Sequence, residues 1–133
     1  MATQDPDGER IRFILDRQIE CWNNADIECF MEAYWKSDSL KFIGSEGVIY
    51  GWGSTLQRYK RRYPDPEAMG QLRFEILSME NIGEDGFYVV GKFHLSREEL
   101  EDLDGFFSLL LWKIGATGEL LRITPARCKR IVI

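Results

Sequence analysis

Residues 21–40 read CWNNADIECFMEAYWKSDSL, and the fold turns on how they are parsed. Asn23-Asn24 stops a preceding helix, and Asp26 is placed to cap a second one by accepting from its free N–H groups. Ile27, Phe30, Met31 and Tyr34 then fall at i, i+3, i+4 and i+7, an apolar stripe facing a core, with Glu28 and Glu32 on the other side. Few residues separate the two helices, so they pack as neighbours. Upstream, Asp5-Pro6 opens the first helix. Ile11, Ile14, Leu15, Ile19 and Trp22 repeat at helical spacing, with Gln18 as a polar residue inside the stripe. Downstream the period falls to two. Leu40 and Phe42 share one side, Ser45-Glu46-Gly47 turns, and Val48-Ile49-Tyr50 returns as a hairpin.

The rest of the chain follows the same rules. Gly51 and Gly53 bracket Trp52, and a third helix is expected over residues 54–63. Trp52, Leu56, Tyr59 and Tyr63 form its inner face, and Pro64 and Pro66 end it. The run RYKRR, residues 58–62, reads as a solvated basic surface. After Gly70, Leu72, Phe74 and Ile76 alternate with Arg73, Glu75 and Leu77. Residues 83–86 turn, and residues 87–95 alternate again. A charged connection over 96–104 leads to a third long strand at 106–114, almost continuously apolar. Gly115–Gly118 turns into a last segment, 119–133. Helices first and long antiparallel strands afterwards make an α+β protein.

Composition narrows the class further. The chain has 133 residues, 44% hydrophobic and 29% charged, so a single domain over 1–133 with a sizeable core is expected. Seventeen basic and 22 acidic residues give a net charge of −5, which argues against nucleic acid as a partner. No apolar run reaches the roughly 18 residues of a membrane span, so no membrane partner is expected. The polar, acidic start MATQDPDGER is unlike a signal peptide. Cys21, Cys29 and Cys128 lack metal-ligand spacing and read as reduced thiols in a cytoplasmic protein. Neither a metal nor a cofactor is expected.

This order of elements resembles the nuclear transport factor 2-like superfamily, and particular residues carry the likeness. Residues 21–26, CWNNAD, resemble the W-N-x-G-D helix junction of that group. FMEAYWKSDSL, residues 30–40, is similar to the Y-W-x-S-D-x-L signature of a small bacterial branch of unknown function. Gly51-Trp52, Arg58-Tyr59 and Tyr63-Pro64-Asp65 match its G-W…R-Y…Y-P-D run. The likeness covers about residues 10–115. It implies a cone: a curved antiparallel sheet wrapped around helices, with a cavity at the open end. Ketosteroid isomerase, scytalone dehydratase, SnoaL-like cyclases and the association domain of calcium/calmodulin-dependent kinase share that cone. The resemblance also implies a homodimer through the outer sheet face.

The ending departs from the branch, whose last strand reads like W-x-I-x-x-D-H-T-S. Here it reads TGELLRITPARCKRIVI. Arg122-Ile123-Thr124-Pro125-Ala126 can be coded CGG ATC ACA CCA GCN. Read one base earlier, after a G, those codons give Ala-Asp-His-Thr-Ser, and the residues before them permit Trp-Gly-Ile-Ile. The C-terminus from about residue 117 therefore looks frameshifted, the other reading being a divergent last strand.

Candidate site residues follow from chemistry. His94 is the single histidine. It titrates near neutrality and suits a cavity base, or an ordinary strand position. Asp38, at a recurrent acidic position of the branch, could orient a cavity group or cap a turn. Arg73 could hold an anion bidentately, or pair with Glu75 at the surface. Trp22, Tyr34, Trp35, Trp52, Tyr59 and Tyr63 supply aromatic walls with indole and hydroxyl handles, or plain core packing. The expected ligand-binding set is Trp22, Tyr34, Trp52, Tyr59, Arg73 and His94. His94 and Asp38 are the catalytic candidates. Ketosteroid isomerase chemistry is not expected, because Gln18 stands at the helix-one position and no acid falls on the later strand FFSLLLWKI. The leading expectation is a binding protein for an unidentified small molecule, of isomerase, lyase or cyclase kind. The rival is a non-catalytic self-association module, and an inactive frameshifted product is a third reading.

Overall fold

The computed structural model describes residues 6–44, 47–114 and 120–125. Helix α1 spans Pro6–Asn23 and α2 spans Ile27–Met31, with Asp26 accepting from the Cys29 amide at its N-cap. Strands β1 (Lys41–Gly44) and β2 (Gly47–Tyr50) form an antiparallel hairpin. Helix α3 runs Trp52–Arg62, and Pro66–Met69 forms a short α4. Strands β3 (Gln71–Ile82), β4 (Gly86–Ser96), β5 (Leu103–Ile114) and β6 (Leu120–Pro125) build one antiparallel sheet in sequence order. This is the α+β architecture expected from the element order.

One sheet face is packed on the helices. Leu72 of β3, Val89, Phe93 and Leu95 of β4, and Phe107, Leu109 and Leu111 of β5 join Ile11, Leu15, Trp22, Phe30, Tyr59 and Tyr63 in a single core. Gly91 faces Phe107 and Gly105 faces Phe93 across the β4–β5 ladder, so each ring lies over a position with no side chain. A register shift between Ile76 and Ser78 bends β3 and brings Met79 back onto the core side. The opposite face carries Arg73, Glu75, Tyr88, Val90, Lys92, His94, Asp104, Phe106, Leu110 and Trp112, as alternation along the strands requires.

Five expectations are corrected. Helix α3 starts at Trp52 instead of residue 54, and Pro66 opens α4 with Asp65 as its cap, so the two prolines punctuate two helices. Arg58 is not on the solvated basic face: it is buried, with its guanidinium 4.6 Å from the Phe42 ring centre. Helical spacing places residue 58 one turn after the buried Thr55, on the core side, while Lys60, Arg61 and Arg62 stay exposed. Strand β5 begins at Leu103, three residues early, because β4 pairs with it down to Leu95↔Leu103. Cys21 and Cys29, read as separate thiols, are joined in a disulfide with 5.5 Å between their Cα atoms. The turn at Gly115–Gly118 and the tail after Pro125 lie outside the described residues. The backbone of Leu120–Pro125 pairs with β5.

Candidate functional site

Two places on opposite sides of the sheet collect the predicted residues. The first is inside. Trp22 is fully buried and makes edge-on contacts with Phe30 (5.1 Å between ring centres) and Tyr63 (5.0 Å). Tyr59 packs edge-on against Phe30 and Phe42 at 5.4 and 5.6 Å. Beside them Gln18, Phe30, Tyr34, Tyr59, Phe74, Phe107 and Leu109 surround an interior void of about 10 Å³. Gln18 donates to the Phe30 carbonyl at 3.2 Å, which satisfies part of a buried amide. Burial pushes the Tyr59 phenol well above its ordinary value, with the neighbouring Tyr34 adding to the rise and Arg58 opposing it. Burial likewise raises Tyr34, against the lowering effects of Tyr59, Gln18 and Arg58. A void this small is of the size of one water, not of a ligand.

The second place is an open cleft on the outer sheet face, about 730 Å³ in volume. Arg73, Glu75, Lys92, His94, Asp104 and Phe106 border it. The register explains the grouping, since Arg73, His94 and Asp104 form one cross-strand row and Glu75, Lys92 and Phe106 the next. His94 sits between two carboxylates: Nδ1 meets Asp104, and Nε2 lies 3.3 Å from Asp102 Oδ2. Asp102 is fixed in turn, because its Oδ1 accepts from the Arg97 amide at 2.9 Å. The Arg97 guanidinium donates to the carbonyls of Glu101 and Ala68, which ties the charged connection to α4. The Lys92 ammonium lies 5.5 Å from the Phe106 ring centre.

The predicted residues therefore divide. Tyr34 and Tyr59 meet at the interior void, and Arg73 and His94 meet in the outer cleft. Trp22 and Trp52 line neither, and both are held by their indole N–H, to Met69 O and Met31 O, each at 2.8 Å. Asp38 is exposed beside Gly51 and makes no hydrogen bond among the described residues; Ser37 Oγ accepts from the Ser39 amide in that turn. Among the described residues no cluster of His, Cys, Asp and Glu could hold a metal ion. The sequence reading missed Asp102 and Asp104 beside His94, the outward Phe106 and the buried Arg58. Cross-strand register brings Asp104 and Phe106 to the cleft, and the Arg97 amide holds Asp102 beside His94. The run FFSLLLW has too little alternation to assign faces.

An α+β cone with a water-sized void between its helices and sheet and an open cleft on the sheet's outer face defines the class of protein. No protein-family model matches the sequence, and no curated protein matches it. Among solved structures, an NTF2-like protein of unknown function from Shewanella oneidensis is 33% identical, with 89% of this chain and 94% of that one covered and a TM-score of 0.81. The chain belongs to the nuclear transport factor 2-like family. A ketosteroid isomerase-like protein from Erwinia carotovora atroseptica is 17% identical at TM-score 0.61, covering 86% of this chain and 88% of that one. An association domain of calcium/calmodulin-dependent kinase type, from Thiobacillus denitrificans, is 9% identical at 0.65, covering 86% and 93%. Both share the fold alone. No described helix is long and apolar enough to cross a membrane.

Proposed function

We propose that this protein is a single-domain cytoplasmic binder of a small molecule, and that the ligand occupies the outer cleft. One observation carries the reading: Arg73 and His94, neighbours across β3 and β4, both border an opening of about 730 Å³. That volume falls in the usual ligand range of about 300–1,000 Å³, whereas the interior void does not. Arg73 supplies a planar double donor, and Phe106 an apolar wall. Proton transfer of the isomerase or lyase kind would fall to His94, whose orientation Asp102 and Asp104 set.

The test is a small-molecule library observed by NMR. His94 is the single histidine, so its imidazole signals report the cleft without ambiguity. Ligands that move those signals in the wild type and fail to do so in Arg73→Ala support the reading. Ligands that bind without moving them place the site elsewhere.

A second reading is self-association through the same sheet face. Phe106 and Trp112 are 52% and 37% exposed there, beside the half-buried Tyr88, Val90 and Leu110. Contiguous apolar surface of this kind is commonly covered. Light scattering at micromolar concentration separates the readings. A dimer dispersed by Phe106→Asp favours association, and a ligand-binding monomer favours the cleft alone.

A further inference from the structure

We infer that the Cys21–Cys29 bridge is an exchangeable disulfide, that its point of attack is Cys29, and that a low-molecular-weight thiol reaches it through the groove between α1 and α2. Three observations meet here. Cys21 is buried, at 4% exposure, whereas Cys29 is half-buried. Cys29 also lines an open groove of about 220 Å³, together with Phe13, Ile14, Arg17, Gln18, Glu32 and Ala33. Exchange needs access to one sulfur of the bridge, and of the two described cysteines it is Cys29 that lines this groove while Cys21 is buried. Arg17 lies on the same groove, where a cation favours an incoming thiolate.

The step balances with a monothiol of the glutathione class. Its thiolate attacks Cys29 Sγ, a new S–S bond forms, and the Cys21–Cys29 bond breaks with the electron pair leaving on Cys21 Sγ. Cys21 takes a proton from water. A second thiol attacks the small-molecule sulfur of the mixed disulfide and expels the Cys29 thiolate. The two small thiols leave as their disulfide, having supplied two electrons. The reverse course closes the bridge again, with the small disulfide as oxidant and Cys21 as the resolving thiol.

The consequence is local. The bridge ties the end of α1 to α2, a helix of five residues that has little intrinsic stability alone. The turn between them holds Ala25 at φ 60°. Gln18 borders both the thiol's groove and the interior void, and its amide is bonded to Phe30 O on α2. Opening the bridge therefore loosens the segment that carries Phe30, one wall of the void.

The experiment uses the full chain carrying Cys128→Ser, so that the third cysteine does not compete. The oxidised protein is exposed to a modest excess of glutathione, quenched with acid and peptide-mapped. The expected result is a first adduct on Cys29, formed while the protein is folded. An adduct on Cys21, an even split, or no adduct until denaturant is added overturns the inference, as does a protein that keeps both thiols free in oxidised glutathione. A second measurement compares Cys21→Ser with Cys29→Ser, both also carrying Cys128→Ser. The thiol left at Cys29 should react several-fold faster with an aromatic disulfide than the one left at Cys21. Equal rates in the two folded variants count against it.

Discussion

The indole N–H of Trp22, on the last turn of α1, donates to the backbone carbonyl of Met69, 47 residues away, at 2.8 Å. The adjacent residue repeats the move. Asn23 Oδ1 accepts from the Leu72 amide at 2.7 Å and its Nδ2 donates to the Leu72 carbonyl at 3.3 Å. Together the two side chains seat the start of β3 on the end of α1, which sets where the sheet begins.

Trp22→Ala should destabilise the protein by about 3–5 kcal/mol, the usual cost of emptying a fully buried large aromatic site. Trp22→Phe should recover part of the packing but leave the Met69 carbonyl without its donor, at a cost of roughly 1–3 kcal/mol. Urea unfolding followed by circular dichroism checks both. A near-neutral Trp22→Ala would show that the aromatic cluster around Phe30 and Tyr63 is not held by this residue.

Gly70 sits at φ 62°, and a Cβ there would fall on the Ser96 carbonyl oxygen and the Arg97 side chain. Its ψ of −153° puts it in a backbone region open essentially to glycine alone, so Gly70→Ala should cost more than the roughly 1–3 kcal/mol of that backbone strain by itself. Gly53→Ala makes the control, since nothing stands within 4 Å of its Cβ position. Thermal unfolding of the two variants should differ clearly, and equal midpoints would refute the tight corner between α4 and β4.

Tyr34 and Tyr59 are held neutral by burial. In the unfolded chain both phenols ionise near pH 10, so above that pH the unfolded state binds fewer protons than the folded one. Stability is therefore fully present below about pH 10 and falls as the pH rises further. Tyrosinate absorbance should show these two phenols ionising only with unfolding. Tyr34→Phe and Tyr59→Phe should each remove one late-titrating group, and an unchanged late amplitude would contradict the placement.

Reducing the Cys21–Cys29 bridge frees a short loop, with a sequence separation of 8. Loop-closure entropy sets the loss at roughly 2–3 kcal/mol. Calorimetry with and without a dithiol should record a lower unfolding midpoint on reduction, and Cys21→Ser should lower it without any reductant. No shift in either would mean that packing alone holds α2.

Local chemistry was legible wherever it needed no partner. The Asp26 cap, the stop at Asn23 and the period-two strands all depend on neighbours in sequence, while the expected turn at residues 45–46 lies outside the described residues. The candidate site was legible only in part, because its residues are chosen by pairing. His94 could be named from the chain, but Asp102 and Asp104 come to its two ring nitrogens through the β4–β5 register and the Arg97 corner. Arg58 misled for a related reason. A basic run reads as one surface, while a helix turns each residue by about 100° and buries the one that faces the core.

By itself, then, the amino-acid order determined the element types, the α+β class and the inward apolar stripes of the helices, while the inward face of β5 waited for its pairing with β4. Hydrogen-bond periods and side-chain polarity act over a few residues and are written directly in the chain. Only the tertiary structure decided that Tyr34 and Tyr59 face a water-sized void, that Arg73 and His94 open onto the far side of the sheet, and that Cys21 and Cys29 are joined. Each of those depends on which strand lies beside which, how the helices cross the sheet and how closely their side chains fill the space between, and these are properties of packing that no local pattern encodes.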